Sequence, residues 1–209
     1  DLSSNIALTT LYAQSNQLFH LNMKNGVTDQ LTEFNATGNS FDCIEVNAED
    51  VDYATENWTY ANGNIDEGVG FSVVCVPEGY TYVQDNNFEQ ALIDLGYDDG
   101  LNDFVLTENI SGVTSLDVRE KEISDLTGIE GFTALTTLDC QINQLTSLDV
   151  SANTALTSLE CYINQLTSLD VSTNTALTIL HCNNNQLTSL DVSNNTALTR
   201  LMAYSNQLT

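Results

Sequence analysis

Basic residues are almost absent from this sequence. Its 209 residues contain four Lys and Arg against 29 Asp and Glu, which gives a formal net charge of −25 at pH 7. A surface with this charge repels the phosphates of nucleic acids and anionic membrane surfaces. We therefore expect no nucleic-acid partner.

Long apolar runs and catalytic motifs are also missing. No stretch reaches the roughly 18 consecutive apolar residues of a membrane-spanning helix, so no membrane insertion is expected. The two histidines, His20 and His181, stand far apart in the sequence. Neither a G-x-S-x-G nor an H-E-x-x-H motif occurs. The sequence therefore predicts a protein that is not an enzyme and that needs no catalytic cofactor.

A repeat of 21 residues fills the C-terminal part of the chain instead. With Leu135, Leu156, Leu177 and Leu198 as position 1, Leu recurs at positions 1, 4, 11 and 14, Cys or Ala at 6, and Val at 16. The spacing of positions 4 and 6, and of 14 and 16, is typical of strands with one buried face, so each repeat should contain two short strands. Equivalent strands of successive repeats should stack in parallel about 4.8 Å apart.

Asparagine marks two further positions of each repeat, 9 and 19. We expect these side chains to hydrogen-bond backbone groups of their own coil and of the next one. They are Asn143, Asn164, Asn185 and Asn206 at position 9, and Asn153, Asn174 and Asn195 at position 19.

The repeat resembles a known family. The pattern LxxLxCxxNxLxxLDVSxNxx, as in LTSLECYINQLTSLDVSTNTA at 156–176, resembles the leucine-rich repeat in its nested 21-residue bacterial class. The unit before it, VTSLDVREKEISDLTGIEGFTA at 113–134, is similar to internalin-like repeats. The resemblance implies a β-rich leucine-rich-repeat solenoid, right-handed, with short parallel strands stacked on two faces. It also implies a role in binding or adhesion outside the cell.

Four segments follow from the pattern. Residues 1–46 carry the same apolar spacing and should end a first array. Residues 47–77, which include Trp58, should form an aromatic cap on that array. Residues 78–112 should be a linker and a helical cap, and 113–209 a second array that is truncated or continuing.

The helical cap is predicted from an amphipathic stretch. Phe88, Ala91, Leu92 and Leu95 fall at helical spacing, Asn87 is suited to cap the N-terminus, and Gly96 ends the run. We expect this short helix to cover the N-terminal end of the second array.

The five cysteines divide into two kinds. Cys140, Cys161 and Cys182 recur at the inward position 6, so they should be free, buried and apolar in character. Cys43 and Cys75 bracket the aromatic segment, and a disulfide between them would close a loop of about thirty residues. Such a bond points to an oxidising, extracellular setting or a cell surface.

The repeats differ from one another mainly in their first half. LTSLDVSxNTA changes little, whereas the outward positions 3, 5 and 7 change in every coil and position 8 reads Ile, Ile, Asn and Ser. Exposed aromatic and aliphatic residues beside charge favour recognition of a protein or glycan partner. The predicted partner-binding residues are Asp139, Gln141, Glu160, Tyr162, Ile163, His181, Asn183, Arg200, Met202 and Tyr204.

A ladder of like charges lies in the second half of the repeats. Asp149, Asp170 and Asp191 should stack about 5 Å apart and repel one another. Hydrogen bonds from neighbouring serines are one source of relief. The alternative is that Ca²⁺ bridges the ladder.

The ends of the chain suggest an alternative function. Thr209 occupies position 12 of a repeat and Asp1 position 15, so the two ends nearly complete one coil. This arrangement would suit a tandem segment or a fibre subunit that associates head-to-tail through its solenoid ends.

Overall fold

Every strand of this protein is three residues long, and the strands form four small sheets. A computed structural model describes all 209 residues. The chain divides into two units, Asp1–Cys75 and Val76–Thr209. None of the helices combines the length and apolar character that a membrane crossing requires.

The first unit contains two pairs of parallel strands. Strand β1 (Thr10–Tyr12) pairs with β2 (Glu33–Asn35), and β3 (Cys43–Glu45) pairs with β4 (Gly70–Ser72). Helix α1 (Val51–Asn57) lies between β3 and β4 in the sequence. Two 3-10 turns, Thr28–Gln30 and Ala48–Asp50, complete the regular structure of this unit.

The aromatic segment packs on the apolar core of the first unit. The rings of Phe34 and Trp58 stack with their centroids 4.2 Å apart, and Phe71 meets Trp58 edge-on at 5.7 Å. A disulfide joins Cys43 to Cys75, as the sequence predicts. Repeat residues and aromatic segment therefore share one core.

The second unit begins with an antiparallel pair and two helices. Strand β5 (Tyr80–Tyr82) pairs with β6 (Phe104–Leu106), with α2 (Asn86–Asp94) between them and α3 (Thr107–Ile110) after them. A 3-10 turn, Ile129–Gly131, lies further along the chain.

A five-stranded parallel sheet follows, with one strand from each coil. Its strands, in spatial and sequence order, are β7 (Ser115–Asp117), β8 (Thr137–Asp139), β9 (Ser158–Glu160), β10 (Ile179–His181) and β11 (Arg200–Met202). The register is uniform, so that Leu138, Leu159 and Leu180 lie side by side. These three leucines have no solvent exposure.

The expectation of a second strand in each repeat of this unit is wrong. The second half of the repeats forms only an isolated bridge, between Asp149 and Asp170. The Asp149 side chain accepts a hydrogen bond from the Ser151 backbone N–H at 2.9 Å. Such a local bond to the backbone takes the place of a ladder bond and turns the chain.

Asparagine and threonine side chains link each coil to the one before it. The Asn164 amide donates to the carbonyls of Cys161 and Cys140, and its oxygen accepts from the Leu145 N–H. The expected bonds within the same coil are present, but the bonds between coils reach the preceding coil and not the next one. Threonines at position 2, which sequence reasoning did not single out, act similarly: the Thr157 hydroxyl donates to the Thr136 carbonyl at 3.0 Å.

Helix α2 packs its apolar face into the core that contains the repeat leucines. Phe88 and Leu92 are fully buried there, but Leu95, which the helical spacing predicts for the same face, is 44% exposed and follows the last residue of the helix. The N-cap is Asp85 and not Asn87, because the Asp85 carboxylate accepts from the Asn87 and Phe88 N–H groups.

Candidate partner-binding face

The outward side chains of the parallel sheet form rows that run across the strands. Because side chains alternate along a strand, the residues before and after each buried leucine point outward. The in-register pairing therefore aligns one residue per coil into a row. The central row consists of Asp117, Asp139, Glu160, His181 and Met202. We call this surface the strand face. It comprises the outward side chains of β7 to β11 and, in each coil, the two residues that follow position 6, at positions 7 and 8.

One end of the strand face is a network around a single arginine. The Arg119 guanidinium lies 3.1 Å from the Asp117 carboxylate and 3.6 Å from that of Asp139. The Gln141 amide donates to Asp139 at 2.8 Å. Burial raises the pKa of Asp139, and the nearby charges of Asp117 and Glu160 raise it further. Arg119, which the sequence reasoning missed, thus compensates part of an acidic row.

The middle of the strand face combines an acid, an imidazole and a phenol. The Nδ1 atom of His181 lies 3.5 Å from the Glu160 carboxylate. The rings of Tyr162 and His181 meet edge-on, with centroids 6.5 Å apart. The His181 Nε2 atom is buried and has no hydrogen-bond partner. This arrangement holds the half-buried Tyr162 against the sheet.

Three of the ten predicted residues are buried and are not outward contacts. Gln141, His181 and Asn183 are only 6%, 8% and 4% exposed, because neighbouring coils cover them. They can position their neighbours, as Gln141 does for Asp139, but they offer little surface of their own. The other seven remain accessible in whole or in part: Asp139, Glu160, Tyr162, Ile163, Arg200, Met202 and Tyr204.

The seven accessible residues fall into two groups. Asp139, Glu160 and Tyr162 lie on adjacent coils, and Ile163 follows Tyr162 directly. Arg200, Met202 and Tyr204 lie on or just after β11, the last strand of the sheet.

Serines are the observed partners of the Asp ladder. Asp149, Asp170 and Asp191 each accept a hydrogen bond from the backbone N–H of the serine two residues later, at 2.8 to 2.9 Å. Hydrogen bonds to these serines lower the pKa of all three carboxyls. No group of three or more His, Cys, Asp or Glu side chains in the chain could hold a metal ion. The ladder thus has no such cluster to offer Ca²⁺.

The three repeat cysteines are free and buried, as the sequence predicts. Burial raises the pKa of the Cys140 and Cys161 thiols, and that of Cys182 to about 11. These thiols stay protonated at neutral pH and pack as small apolar groups.

Comparison with known proteins identifies similar chains. No protein-family profile matches the sequence. Over 51 residues the chain is 45% identical to internalin J of Listeria monocytogenes serotype 4b (strain F2365), a match that covers 24% of this chain and 6% of that protein. The solved functional domain of InlJ from Listeria monocytogenes, which includes a cysteine ladder, aligns with a TM-score of 0.58 and 39% identity. That alignment covers 66% of this chain and 31% of the domain.

A second solved structure aligns over the whole chain. An internalin (InlF) from Listeria monocytogenes strain 4b F2365 is 20% identical and covers 100% of this chain and 57% of its own, with a TM-score of 0.49. The chain therefore spans only part of each of these relatives.

Proposed function

The chain is homologous to the Listeria internalins and folds as a bacterial leucine-rich-repeat solenoid, and from that premise we propose that it recognises a protein partner at or outside a cell surface. Internalin-like leucine-rich repeat proteins are non-enzymatic interaction proteins, and this supports a role without catalysis. The Cys43–Cys75 disulfide supports an extracellular location, because such bonds persist in oxidising compartments.

One observation carries the proposal: the strand face varies from coil to coil, whereas the second half of the 21-residue repeats changes little. LTSLDVS is repeated with few changes, so that part can only build the solenoid. The strand face combines acidic, aromatic and aliphatic side chains on a rigid sheet. Rigid aromatic anchors beside charge are typical of protein-binding hot spots.

We assign contact with the partner to the seven accessible residues of the strand face. Gln141, His181 and Asn183 then act as supports beneath them. The proposed organisation keeps four segments: a first array at 1–46, an aromatic cap at 47–77, a linker with the helical cap at 78–112, and a right-handed second array at 113–209. A glycan ligand on the same face belongs to the proposal as an alternative.

Head-to-tail assembly is the second candidate function. Electron microscopy tests this candidate: filaments with an axial repeat of one chain would support it, and monodisperse particles would contradict it.

The recognition role is tested by removing two aromatic side chains together. The immobilised chain is probed with biotin-labelled surface proteins of bacterial and animal cells and, separately, with a glycan array. Substituting Tyr162→Ala and Tyr204→Ala together should abolish capture and leave the circular dichroism spectrum unchanged. Tyr60→Ala is the matched control, since Tyr60 is similarly exposed but lies in the first unit. Undiminished binding by the double variant would exclude this face as the site.

A further inference from the structure

In every coil of the second unit, the same repeat position lies in the left-handed region of backbone conformation. It is position 8, which follows the strand, and φ is 57° at Glu120, 54° at Ile142, 53° at Ile163, 54° at Asn184 and 54° at Ser205. Hydrogen bonds between coils fix this geometry, as where the Ile163 N–H donates to the Asn183 carbonyl at 3.1 Å. The solenoid therefore imposes the conformation whatever residue stands there.

Isoleucine is among the least suitable residues for this position. In the left-handed region the Cβ atom crowds the following carbonyl, and branching at Cβ makes the crowding worse. Asparagine adopts the region readily, and Asn184 occupies the equivalent position of another coil. Two adjacent coils nevertheless carry isoleucine there.

Burial within the chain does not explain the two isoleucines. Ile142 and Ile163 are 38% and 44% exposed, and neither belongs to the apolar core of the second unit. Since their coils are neighbours, the two side chains lie next to each other and form a small apolar ridge. Residues held in a strained backbone conformation cluster at functional sites.

The surroundings of the ridge are acidic. Glu120 occupies the same position one coil earlier, Glu122 follows it, and both are exposed. Glu160 lies on the strand just before Ile163. The nearby cations are both paired with carboxylates: Lys121 contacts Asp94 at 3.3 Å, and Arg119 contacts Asp117 at 3.1 Å. With a net charge of −25 on the chain, this surface favours a positively charged partner.

We propose that Ile142 and Ile163 form the apolar centre of the partner-binding surface, and that the partner presents a protein segment in which an apolar side chain is flanked by Lys or Arg. This inference rests on the proposed recognition function and gives the partner's chemistry. It also moves the centre of contact from the strands to the turns that follow them.

A random peptide library displayed on phage serves as the probe. Peptides are selected on the intact chain, and their affinities are then measured for the double variant Ile142→Asn, Ile163→Asn. We expect the enriched peptides to combine an apolar residue with Lys or Arg, and to bind the variant at least about tenfold more weakly, as loss of a hot spot implies. Ile142→Val with Ile163→Val is the matched control, because it retains both branching and apolar character.

Thermal melting gives a readout that does not depend on any ligand. The double asparagine variant should melt at a higher temperature than the parent chain, since asparagine relieves the backbone strain. A lower or unchanged melting temperature would overturn the argument from strain.

The outcomes separate this inference from the broader proposal. Enriched peptides that bind the parent chain and the double asparagine variant equally, or that carry no basic residues, would contradict the inference. If those same peptides lose affinity for the Tyr162→Ala, Tyr204→Ala variant, the proposed recognition function survives. A selection that enriches no peptide able to bind the second unit counts against both the inference and the proposed recognition function.

Discussion

Both units of this protein bury the inward-facing residues of their repeats, but different contacts complete their apolar cores. In the first unit the repeat strands form only pairs, and Leu8 and Leu11 remain partly exposed. A disulfide and an aromatic cluster around Trp58 complete its core. In the second unit five strands stack, and Leu135, Leu156 and Leu177 are fully buried without any disulfide.

The difference shows what repetition contributes to stability. A coil buries its leucines only against its neighbours, so a short stack leaves more apolar surface open than a long one. In the first unit a covalent link and large aromatic side chains add to the core. The second unit relies on identical side chains in successive coils. Substitutions in each unit can test this contrast.

The largest effect is expected in the middle of the long stack. Leu159→Ala should lower the free energy of unfolding by about 2 to 5 kcal/mol, because it leaves a cavity in a fully buried core. Leu11→Ala, at the same position of the first unit, should cost less because Leu11 is already partly exposed. Thermal denaturation followed by circular dichroism measures both. With Thr167→Ala as the exposed control, an unchanged melting temperature for Leu159→Ala would contradict the inward face.

The second effect concerns the disulfide of the first unit. The bond closes a sequence separation of 32 residues, so Cys43→Ser with Cys75→Ser should cost about 3 to 4 kcal/mol. Trp58 is the single tryptophan and lies in the first unit's core, so its fluorescence during urea denaturation reports on that unit. Cys182→Ala is the control in the second unit and should have a small effect, since Ala203 fills the equivalent position.

Thiol titration checks the same contrast chemically. The denatured, unreduced chain should show three reactive thiols, from Cys140, Cys161 and Cys182. A count of one or five would show that the two kinds of cysteine have been assigned wrongly.

The third effect concerns the hydrogen bonds that the repeat asparagines make to the preceding coil. The Asn174 amide donates to the carbonyls of Val150 and Asn153, both buried in the preceding coil. Asn174→Ala removes both hydrogen bonds, although each carbonyl keeps one backbone N–H donor. At about 0.5 to 1.5 kcal/mol for each lost bond, the variant should be less stable by about 1 to 3 kcal/mol. Asn194→Ala is the matched control, because Asn194 is exposed and makes a single 3.4 Å bond to Ser172. Equal melting temperatures for the two variants would argue against a structural role for these asparagine hydrogen bonds.

Features that depend on the period of the sequence could be predicted from it. A residue such as Leu145 or Val150 lies inward in every coil because the chain geometry repeats, and both have no solvent exposure. The Cys43–Cys75 pair could be predicted from its place on either side of the aromatic segment. These inferences need only local spacing and elementary packing.

Features that depend on particular neighbours could not be predicted in this way. The burial of His181 and Asn183 depends on how the coils on either side cover them, which the alternation of a strand does not specify. The missing second strands result from competition between Asp and Ser side chains and the backbone. The position of Ile142 in the left-handed region becomes visible only once the turn geometry is known.

The smallest expected effect on stability concerns two buried glutamates, one in each unit. Glu45 in the first unit has a cation 3.2 Å away, on Lys24. Glu89 in the second unit is fully buried and has no cation. One of its oxygens accepts from the Asn102 N–H at 2.7 Å, and the other has no hydrogen-bond partner. Burial raises the pKa of Glu89, and the charges of Asp98 and Asp103 raise it further.

The raised pKa fixes the direction of the pH effect. The folded chain binds the Glu89 proton more tightly than the unfolded chain, so stability falls as pH rises from about 4.5, the usual value, through the raised pKa. Glu89→Gln keeps the acceptor for Asn102 and removes the charge, so it should melt higher than the parent at neutral pH. This advantage should shrink towards about pH 4, where the parent is protonated. Glu45→Gln should instead melt lower at neutral pH, since Lys24 loses its partner. Melting temperatures measured across this pH range that move in parallel for the parent and Glu89→Gln would show that Glu89 carries no uncompensated charge.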